Sequence, residues 1–390
     1  MPDEPSSILS SGIELPLAGG RLTVDLGTLV ANYRLLAKRS APAQVMAVVK
    51  ADAYGLGIMP VVKALWDAGC RRFFVALPEE GLRVREAAPE AGIMVLSGLF
   101  GVEAAAAFVK ARLIPVLNSQ TDIAIWEAHG WDGDVPRPCV IHVDTGMNRL
   151  GLTLQEARAF AEDNALTRAL TPVMVMSHLA CGDDAGHPMN RRQLESFQMV
   201  RATFPGVESS LANSAGVFLA KDFHFDATRP GIALYGGNPL AAGGSPMRPV
   251  VTAEARIVQV RQARAATAVS YGGSQLLTRD SIIAVASVGY ADGYHRSLSG
   301  AGVPLRLGGG SGAAGFLHGR RVPVVGRVTM DLTMFDVTEL GPGAVSPGDF
   351  IEIIGPNMPI DEVAEAAGTI SYELLTSIGR RYHRTYIGAT

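Results

Sequence analysis

The sequence has no excess of charge of either sign. Its 34 lysines and arginines stand against 37 aspartates and glutamates, which gives a formal net charge of −3 at pH 7. A near-neutral chain has no basic surface of the kind that binds nucleic-acid phosphates or anionic lipids, so we expect neither partner.

Cysteine is scarce: Cys70, Cys139 and Cys181 are scattered along the chain. Three widely separated thiols form neither a zinc-ligand spacing nor a disulfide framework, so we predict no metal site and reduced thiols.

Long apolar runs are also missing. No stretch approaches the roughly 18 apolar residues of a membrane-spanning helix, so we predict none. The N-terminal run MPDEPSSILSSGIELPLAGG lacks the basic start and apolar stretch of a secretory signal. Together with the reduced thiols, these features predict a cytoplasmic protein.

What the chain does contain is a globular composition. Of its 390 residues, 48% are apolar and 18% are charged. This length exceeds that of one typical hydrophobic core, so we expect two domains.

Residues from about 45 to 235 alternate short apolar runs with longer amphipathic ones. The short runs are apolar without alternation, which is typical of parallel strands covered on both faces. Eight such runs occur: VMAVV, FFVAL, GIMVLS, LIPVL, CVIHVD, VMVMSHL, SSLAN and GIALY. Helix signals lie between them, including Pro78 and the capping-box pair Thr153 and Glu156. Eight strand–helix units predict an α/β fold with a (β/α)8 TIM-like barrel; an open doubly wound sheet is the alternative.

Beyond about residue 245 the pattern changes to alternating runs broken by glycine and proline. These are VVTAEARIVQVRQ, IIAVASVGYA, VPLRLGG, RRVPVVGRVTMDLTMFDV and FIEIIG. The pattern predicts a mainly antiparallel β domain. We therefore divide the chain into a barrel domain at 22–245 and a C-terminal β domain at 246–390. The early strand RLTVDL, at 21–26, makes residues 1–26 candidates for packing on the β domain.

Two motifs match other enzyme classes without their context. GSGAAG at 310–315 fits the dinucleotide pattern, but no helix follows it, so we interpret it as a hairpin loop. DTG at 144–146 resembles an aspartic-protease loop, but such a site needs two carboxylates that share a proton, and the chain has one copy. We therefore predict neither activity.

Lys50 ends the first apolar strand, in the run VVKADAYGLG. Most lysines are solvated surface groups, but this one lies at the barrel end where active sites occur. Partial desolvation makes the ammonium lose its proton more easily, and the free amine can then condense with an aldehyde. The glycines that follow allow the backbone to lie close to a ligand.

The run around Lys50 resembles the pyridoxal-phosphate lysine motif of alanine racemases. The similarity continues in order through DTGMNRLG, SHLA, ANSAG, RPGIALYG, VSYGG, GYADGY, GRVTMD and TISYELLTSIGRR, and so covers nearly the whole chain. The resemblance implies a barrel-type isomerase that uses pyridoxal 5'-phosphate.

The resemblance also implies roles for Lys50 and Tyr271. Lys50 forms the internal aldimine with pyridoxal 5'-phosphate and acts as one catalytic base. Tyr271, from the other subunit of a homodimer, serves the opposite face, so the active sites are shared between subunits. Racemisation removes a proton from one side of a planar carbanion and returns one to the other, which requires two acid–base groups. The pKa of tyrosine, ordinarily about 10, must be lowered for this role, and the matched neighbours His178 and Arg229 could do so through a hydrogen-bond chain.

Arg229 matches the family's arginine that faces the pyridine nitrogen of the cofactor. Because arginine does not give up its proton, the ring nitrogen stays unprotonated, and the ring is a weaker electron sink than with an aspartate partner. A short-lived carbanion suits racemisation better than transamination.

The remaining matched positions complete the implied site. Arg149 matches the residue that contacts the phenolic oxygen of the cofactor and the substrate carboxylate. Met330 matches the residue that offers its backbone amide to that carboxylate from the partner chain. The other cofactor-binding positions correspond to Tyr54, Asn213, Ser214, Gly231, Ile232 and Tyr372. The residues that line the entrance correspond to Tyr290, Arg296 and Asp183.

Three positions depart from the family pattern. His142 stands where many members have a lysine that becomes carbamylated and braces the arginine equivalent to Arg149. A histidine cannot carry that group stably, so a bound anion or another residue must hold Arg149. Thr329 replaces a common cysteine, and Ser210 replaces a histidine found in some members.

These features predict a homodimer that interconverts L- and D-alanine, a reaction that in the family supplies D-alanine for bacterial cell walls. The alternatives are a serine or broad-specificity amino-acid racemase and a non-catalytic pyridoxal-phosphate-binding protein. Single-domain carriers lack the β domain and Tyr271, which disfavours the non-catalytic alternative. The context of Arg229 and the presence of Tyr271 also disfavour a relative that decarboxylates diamino acids. The sequence does not distinguish alanine from serine, or a biosynthetic from a catabolic role.

Overall fold

The computed structural model describes residues 9–129, 137–303 and 312–388. The chain divides into two compact units. The barrel unit consists of Leu29–Leu234 and Asn238–Met247. The β unit consists of the described residues up to Thr28, Tyr235–Gly237 and the described residues from Arg248 onward.

The barrel unit is built on eight parallel strands. The first consists of two short pieces, Gln44–Val45 and Ala47–Val48. The others are Arg72–Val75, Gly92–Val95, Ile114–Leu117, Arg137–His142, Leu170–Met176, Glu208–Ser210 and Ala227–Thr228. Each pairs with its sequence neighbour from Ala47–Val48 through Glu208–Ser210.

The sheet closes on itself. Ala227–Thr228 pairs in parallel with Gln44–Val45, so the last strand meets the first. The amide of Asp226 donates to the Ser209 carbonyl at 3.1 Å, which joins the seventh strand to the eighth. Closure excludes the open doubly wound sheet and confirms the predicted barrel.

Helices follow most of the barrel strands, and their sequences explain where they begin. Pro78 opens the helix Pro78–Ala87, Ser119 Oγ accepts the amide of Asp122, and Thr153 and Glu156 form the predicted capping box. The other helices are Leu26–Ser40, Ile58–Asp67, Val102–Ala111, Gln120–Ala128, Leu154–Glu162, Asn164–Ala169 and Pro188–Ala202. Short 3-10 turns occur at Gly216–Phe218, Lys221–Phe223 and Ile232–Tyr235.

The prediction of a strand in GIALY is wrong. Ile232–Tyr235 is a 3-10 turn in which the Leu234 amide donates to the Gly231 carbonyl at 2.8 Å. The eighth strand is Ala227–Thr228, earlier in the chain. Ile232 and Leu234 are fully buried, and complete burial produces the same uninterrupted apolar run in a turn as in a strand.

The β unit contains a nine-stranded sheet that is mainly antiparallel. Gly20–Asp25 pairs antiparallel with the long strand Val251–Ala263 and parallel with Tyr382–Ile387. Its residues alternate between buried and half-buried, as expected for a strand with one covered face. The remaining strands of this sheet are Leu9–Gly12, Ser281–Ala286, Ala314–Leu317, Arg320–Val325, Thr333–Asp336 and Phe350–Ile354.

Smaller elements complete the β unit. A two-stranded hairpin pairs Ala268–Val269 with Gln275–Leu276. The predicted C-terminal helices are Ile360–Ala367, which ends at Gly368 with φ 72°, and Ser371–Ser377. Short 3-10 turns lie at Leu15–Leu17, Tyr271–Gly273, Tyr290–Asp292, Arg296–Leu298 and Thr338–Leu340. Most of the predicted strand VPLRLGG lies outside the described residues.

Across the three described ranges, no helix combines the length and the apolar character needed to cross a bilayer. The same ranges contain no group of three or more histidine, cysteine, aspartate or glutamate side chains arranged to hold a metal ion.

Candidate active site

Most of the predicted site residues of the barrel unit lie at one end of the barrel. They stand at or shortly after the carboxyl ends of its strands, where parallel topology brings successive loops together. These residues are Lys50, His142, His178, Asn213, Ser214 and Arg229.

The backbone after Lys50 forms a left-handed turn. Ala51, Asp52, Ala53 and Tyr54 have φ angles between 53° and 55°. The turn closes where the amide of Gly55 donates to the Ala51 carbonyl at 2.7 Å. A left-handed helical conformation costs roughly 1–2 kcal/mol for each residue with a Cβ atom, so other contacts must hold this turn.

The amine of Lys50 is half-buried, and its pKa is lowered from the ordinary value. Burial is the largest cause, the positive charge of Arg149 adds to it, and the carboxylate of Glu80 opposes it. A lysine with a lowered pKa holds a larger fraction of neutral amine at neutral pH. That form can attack a carbonyl or accept a proton.

Arg229 is a buried cation surrounded by neutral groups. Its Nε donates to Ser210 Oγ at 2.9 Å, and its Nη2 donates to the carbonyls of Ser177 and Leu211. Burial lowers the pKa of Arg229 to about 10, so the guanidinium still carries its charge at neutral pH. Ser210 therefore orients this guanidinium through a hydroxyl that does not titrate at physiological pH.

His178 lies between Arg229 and Asn213. Arg229 Nη1 lies 3.4 Å from His178 Nδ1, and Asn213 Nδ2 lies 3.4 Å from His178 Nε2. Burial, followed by the charge of Arg229, lowers the pKa of His178 well below the ordinary value. The ring is therefore neutral and has one acceptor nitrogen. Because Arg229 Nη1 and Asn213 Nδ2 both carry hydrogens, only one of these two contacts can be a hydrogen bond at a time.

Ser214, Gly231 and Tyr54 form a cradle beside the eighth strand. Ser214 Oγ accepts the amide of Gly231 at 2.8 Å, and Ile232 follows in the same turn. A Cβ atom at Gly231 would overlap the hydroxyl of Tyr54, so only glycine allows this approach. Backbone amides, a serine hydroxyl and a tyrosine hydroxyl at the start of a helical turn are the donor set that binds a phosphate group. The residues present therefore fit the phosphate of pyridoxal 5'-phosphate.

His142 is buried and bonded to Asn118. His142 Nδ1 lies 2.7 Å from Asn118 Oδ1. The orientation of the asparagine is fixed because its Nδ2 donates to the carbonyls of Leu96 and Val116. Nδ1 of His142 must therefore carry a proton. Burial, followed by the charge of Arg229, lowers the pKa of His142 to about 4, so the ring is neutral and Nε2 is an acceptor.

Asp144 organises the loop that leads to Arg149. Its Oδ1 accepts the amides of Gly146 and Met147, each at 2.8 Å, and its Oδ2 accepts the amide of Asn148 at 2.9 Å. The single carboxylate of the DTG motif therefore stabilises this loop. Arg149 follows in the same loop and is exposed.

The β unit presents a second group of the predicted residues. A cavity of about 800 Å³ is lined by Tyr271, Tyr290, Arg296 and Met330, with Arg327 among its other residues. Tyr271 is 74% exposed and Met330 is 53% exposed. Large apolar side chains that share an open cavity are typical of a surface that binds another molecule.

The remaining predicted residues stand apart from these groups. Tyr372 lies on the helix Ser371–Ser377 of the β unit and is 39% exposed. Asp183 lies in the loop after the sixth barrel strand, where its carbonyl accepts the amide of Ala241 at 3.0 Å. The first two residues of the GSGAAG motif lie outside the described residues, and Ala314–Leu317 is a strand.

Sequence reasoning missed Glu80. Its side chain is buried and accepts the amides of Ala51, Ala76 and Leu77. Pro78 at the start of the helix and an acidic residue in its first turn predict a helix cap. The hydrogen bond to Ala51 joins two loops and has no local sequence signal.

Comparisons with known proteins agree across the chain. Residues 24–239 match the family model "Alanine racemase, N-terminal domain", and residues 250–386 match "Alanine racemase, C-terminal domain". The chain is 56% identical over 373 residues to an alanine racemase of Rhizobium meliloti, covering 95% of this chain and 97% of that one. It is 55% identical to a biosynthetic alanine racemase of Agrobacterium fabrum, covering 95% and 94%.

A solved structure gives the same result. The crystal structure of alanine racemase from Bartonella henselae with covalently bound pyridoxal phosphate is similar with a TM-score of 0.86 and 39% identity. The similarity covers 95% of this chain and 100% of that one.

Proposed function

This chain belongs to the alanine racemase family, and from that premise we propose that it works through two bases, Lys50 and Tyr271, on opposite faces of the substrate. The enzyme interconverts L- and D-alanine and depends on pyridoxal 5'-phosphate. When bound, pyridoxal 5'-phosphate supplies a conjugated ring that withdraws electrons from the substrate's α-carbon and makes the α-proton more acidic.

Lys50 is the residue that would hold the cofactor covalently. The observation that carries this proposal is a half-buried amine at the mouth of the first barrel strand, with a lowered pKa. Once substrate has taken its place, the free Nζ removes a proton from one face of the α-carbon or returns one to it.

Arg229 and the phosphate cradle would orient the cofactor from opposite ends. The charged guanidinium would face the pyridine nitrogen and leave it unprotonated, because the guanidinium does not give up its proton and its charge opposes a proton on the ring. The Ser214 hydroxyl, the turn at Gly231 and Ile232, and the Tyr54 hydroxyl would receive the phosphate. Asn213, whose Oδ1 accepts the amide of Gly216 at 3.0 Å, and Tyr372 complete the proposed set of cofactor-binding residues.

The second base would come from the partner subunit of a homodimer. The support is the exposure of Tyr271 and Met330 on one cavity, a surface that an isolated chain leaves in contact with water. Tyr271 would exchange its hydroxyl proton with the opposite face of the α-carbon, and the amide of Met330 would bind the substrate carboxylate. Tyr290, Arg296 and Asp183 would form the entrance.

Arg149 would hold the substrate carboxylate and the phenolic oxygen of the cofactor. His142 takes the place of the lysine that braces this arginine in many family members. Because Nε2 of the neutral ring is an acceptor, it can receive a hydrogen bond from the guanidinium without a bound anion. We further propose a cytoplasmic enzyme that supplies D-alanine for the cell wall.

Isotope exchange tests this proposal. The purified protein with pyridoxal 5'-phosphate is incubated with L- or D-alanine in heavy water, and both the enantiomers and the α-deuterium are measured. We expect racemisation in both directions with deuterium in the product, abolished by Lys50→Ala and kept by Lys63→Ala, whose side chain is 67% exposed. An active Lys50→Ala protein would refute the role of Lys50. A panel with serine and larger amino acids would show whether the specificity is broader.

A further inference from the structure

Glu80 joins the loops that follow the first two barrel strands. Its Oε2 accepts the amides of Ala76, at 2.8 Å, and Leu77, at 3.1 Å. Its Oε1 accepts the amide of Ala51 at 2.6 Å. A carboxylate that accepts three backbone amides is held in one orientation.

Helix capping explains only half of this arrangement. Glu80 stands at the third position of the helix Pro78–Ala87, and an acceptor for the Leu77 amide completes the cap with one oxygen. The other oxygen reaches a residue 29 positions away in sequence, the one directly after Lys50. Glu80 is buried, although an exposed carboxylate would cap the helix without the cost of desolvation.

The turn after Lys50 needs such a contact. Ala51 through Tyr54 are left-handed, and none of them is a glycine. The first amides of a helical turn have no partner within that turn, so the amide of Ala51 requires an acceptor from elsewhere. A second anchor lies at the far end, where Asp52 Oδ1 accepts the amide of Ile58 at 2.9 Å and pairs with Arg83.

We infer that Glu80 is a positioning residue for Lys50: its carboxylate holds the amide of Ala51, fixes the start of the left-handed turn, and so aims the lysine amine at the reacting carbon. The inference rests on the proposed role of Lys50. The negative charge of Glu80 also opposes the effects of burial and of Arg149 on the amine.

Two substitutions separate the positioning of Lys50 from the capping of the helix Pro78–Ala87. Glu80→Asp keeps the charge and can still cap the helix, but the side chain is one methylene too short to reach Ala51 as well. Glu80→Gln keeps the length but replaces one acceptor oxygen with a donor, which cannot face a backbone amide. Glu79→Gln changes the exposed neighbour on the same helix and is the matched control.

The first measurement is hydrogen exchange in the protein without cofactor. In Glu80→Asp we expect the Ala51 amide to exchange at least tenfold faster, while the Leu77 amide keeps its protection. Glu79→Gln should leave both unchanged. Unchanged protection of Ala51 in Glu80→Asp would overturn the inference, whether or not the wild-type protein racemises alanine.

The second measurement is the division of the kinetic effect between kcat and KM in the holoenzyme. A catalytic group displaced by about 1 Å loses on the order of a hundredfold in rate. We expect kcat to fall about tenfold to a hundredfold in Glu80→Asp, with KM for alanine within about twofold of wild type, because the substrate contacts are elsewhere. If Glu80→Gln does not fold, the result for Glu80→Asp alone tests the positioning role. A wild-type kcat per folded molecule in Glu80→Asp would refute the positioning role. A wild-type enzyme that fails to racemise would instead refute the proposed function.

Discussion

The neutral, buried state of His142 makes the protein less stable in mild acid. Its pKa is about 4 in the folded chain, against 6.5 for an ordinary histidine. Between these values the unfolded chain binds a proton that the folded chain does not. The contribution of neutral His142 to the free energy of unfolding is therefore fully present above pH 6.5 and is lost as the pH falls toward 4. At pH 5 the free energy of unfolding is lower by about 2 kcal/mol, because each pH unit below 6.5 costs about 1.36 kcal/mol.

The assay is chemical denaturation of the cofactor-free protein at pH 7 and pH 5, compared with His142→Gln. Glutamine can still donate to Asn118 Oδ1 but does not titrate. His178, whose pKa His142 influences, is neutral in both proteins because burial is the largest cause of its lowered pKa. Groups that His142 does not influence contribute equally to both proteins, so the difference between the two pH responses isolates His142. We expect the free energy of unfolding to fall by about 2 kcal/mol less in the variant. An equal fall in both proteins would refute the neutral, singly protonated ring.

Further predictions concern the phosphate cradle and the β unit. Gly231→Ala places a methyl group on the hydroxyl of Tyr54. We therefore expect the affinity for pyridoxal 5'-phosphate, measured by fluorescence titration, to fall at least tenfold. The control Gly244→Ala, where an added Cβ meets nothing within 4 Å, should bind the cofactor with wild-type affinity. Arg381→Met leaves the buried carboxylate of Asp292 without its two-point partner, at 2.7 and 2.8 Å. The change should cost about 2 kcal/mol of unfolding free energy, less than for a fully buried pair because the Arg381 side chain is half exposed. Arg191→Met, which removes the exposed ion pair with Glu195, should cost far less, and equal losses would contradict the role of burial.

The barrel could be predicted because its strands are buried on both faces. Burial of this kind leaves uninterrupted apolar runs: FFVAL overlaps the strand Arg72–Val75, and GIMVLS contains the strand Gly92–Val95. The same signal led to the wrong prediction of a strand in GIALY. Burial decides which residues are apolar, whereas hydrogen bonding decides whether the backbone forms a strand or a turn, and apolar periodicity does not report it.

The site residues likewise divide into those that the sequence signals and those that it does not. Lys50 and Arg229 carry sequence signals, a strand-ending lysine and a recognisable motif. Glu80 and Asn118 do not, because each acts on a residue distant in sequence through one hydrogen bond. The protonation state of His142 could not be predicted either, since it depends on the orientation of the Asn118 amide and on burial in the folded barrel.

The central claim is that each site combines Lys50 of one subunit with Tyr271 of the other. Mixing Lys50→Ala protein with Tyr271→Phe protein under conditions of subunit exchange tests it directly. A hybrid dimer would contain one site with both residues intact, so the account predicts recovery of about a quarter of the wild-type activity from two impaired parents. A mixture that forms hybrid dimers, shown by co-purification of two tags, yet is no more active than its parents would contradict it.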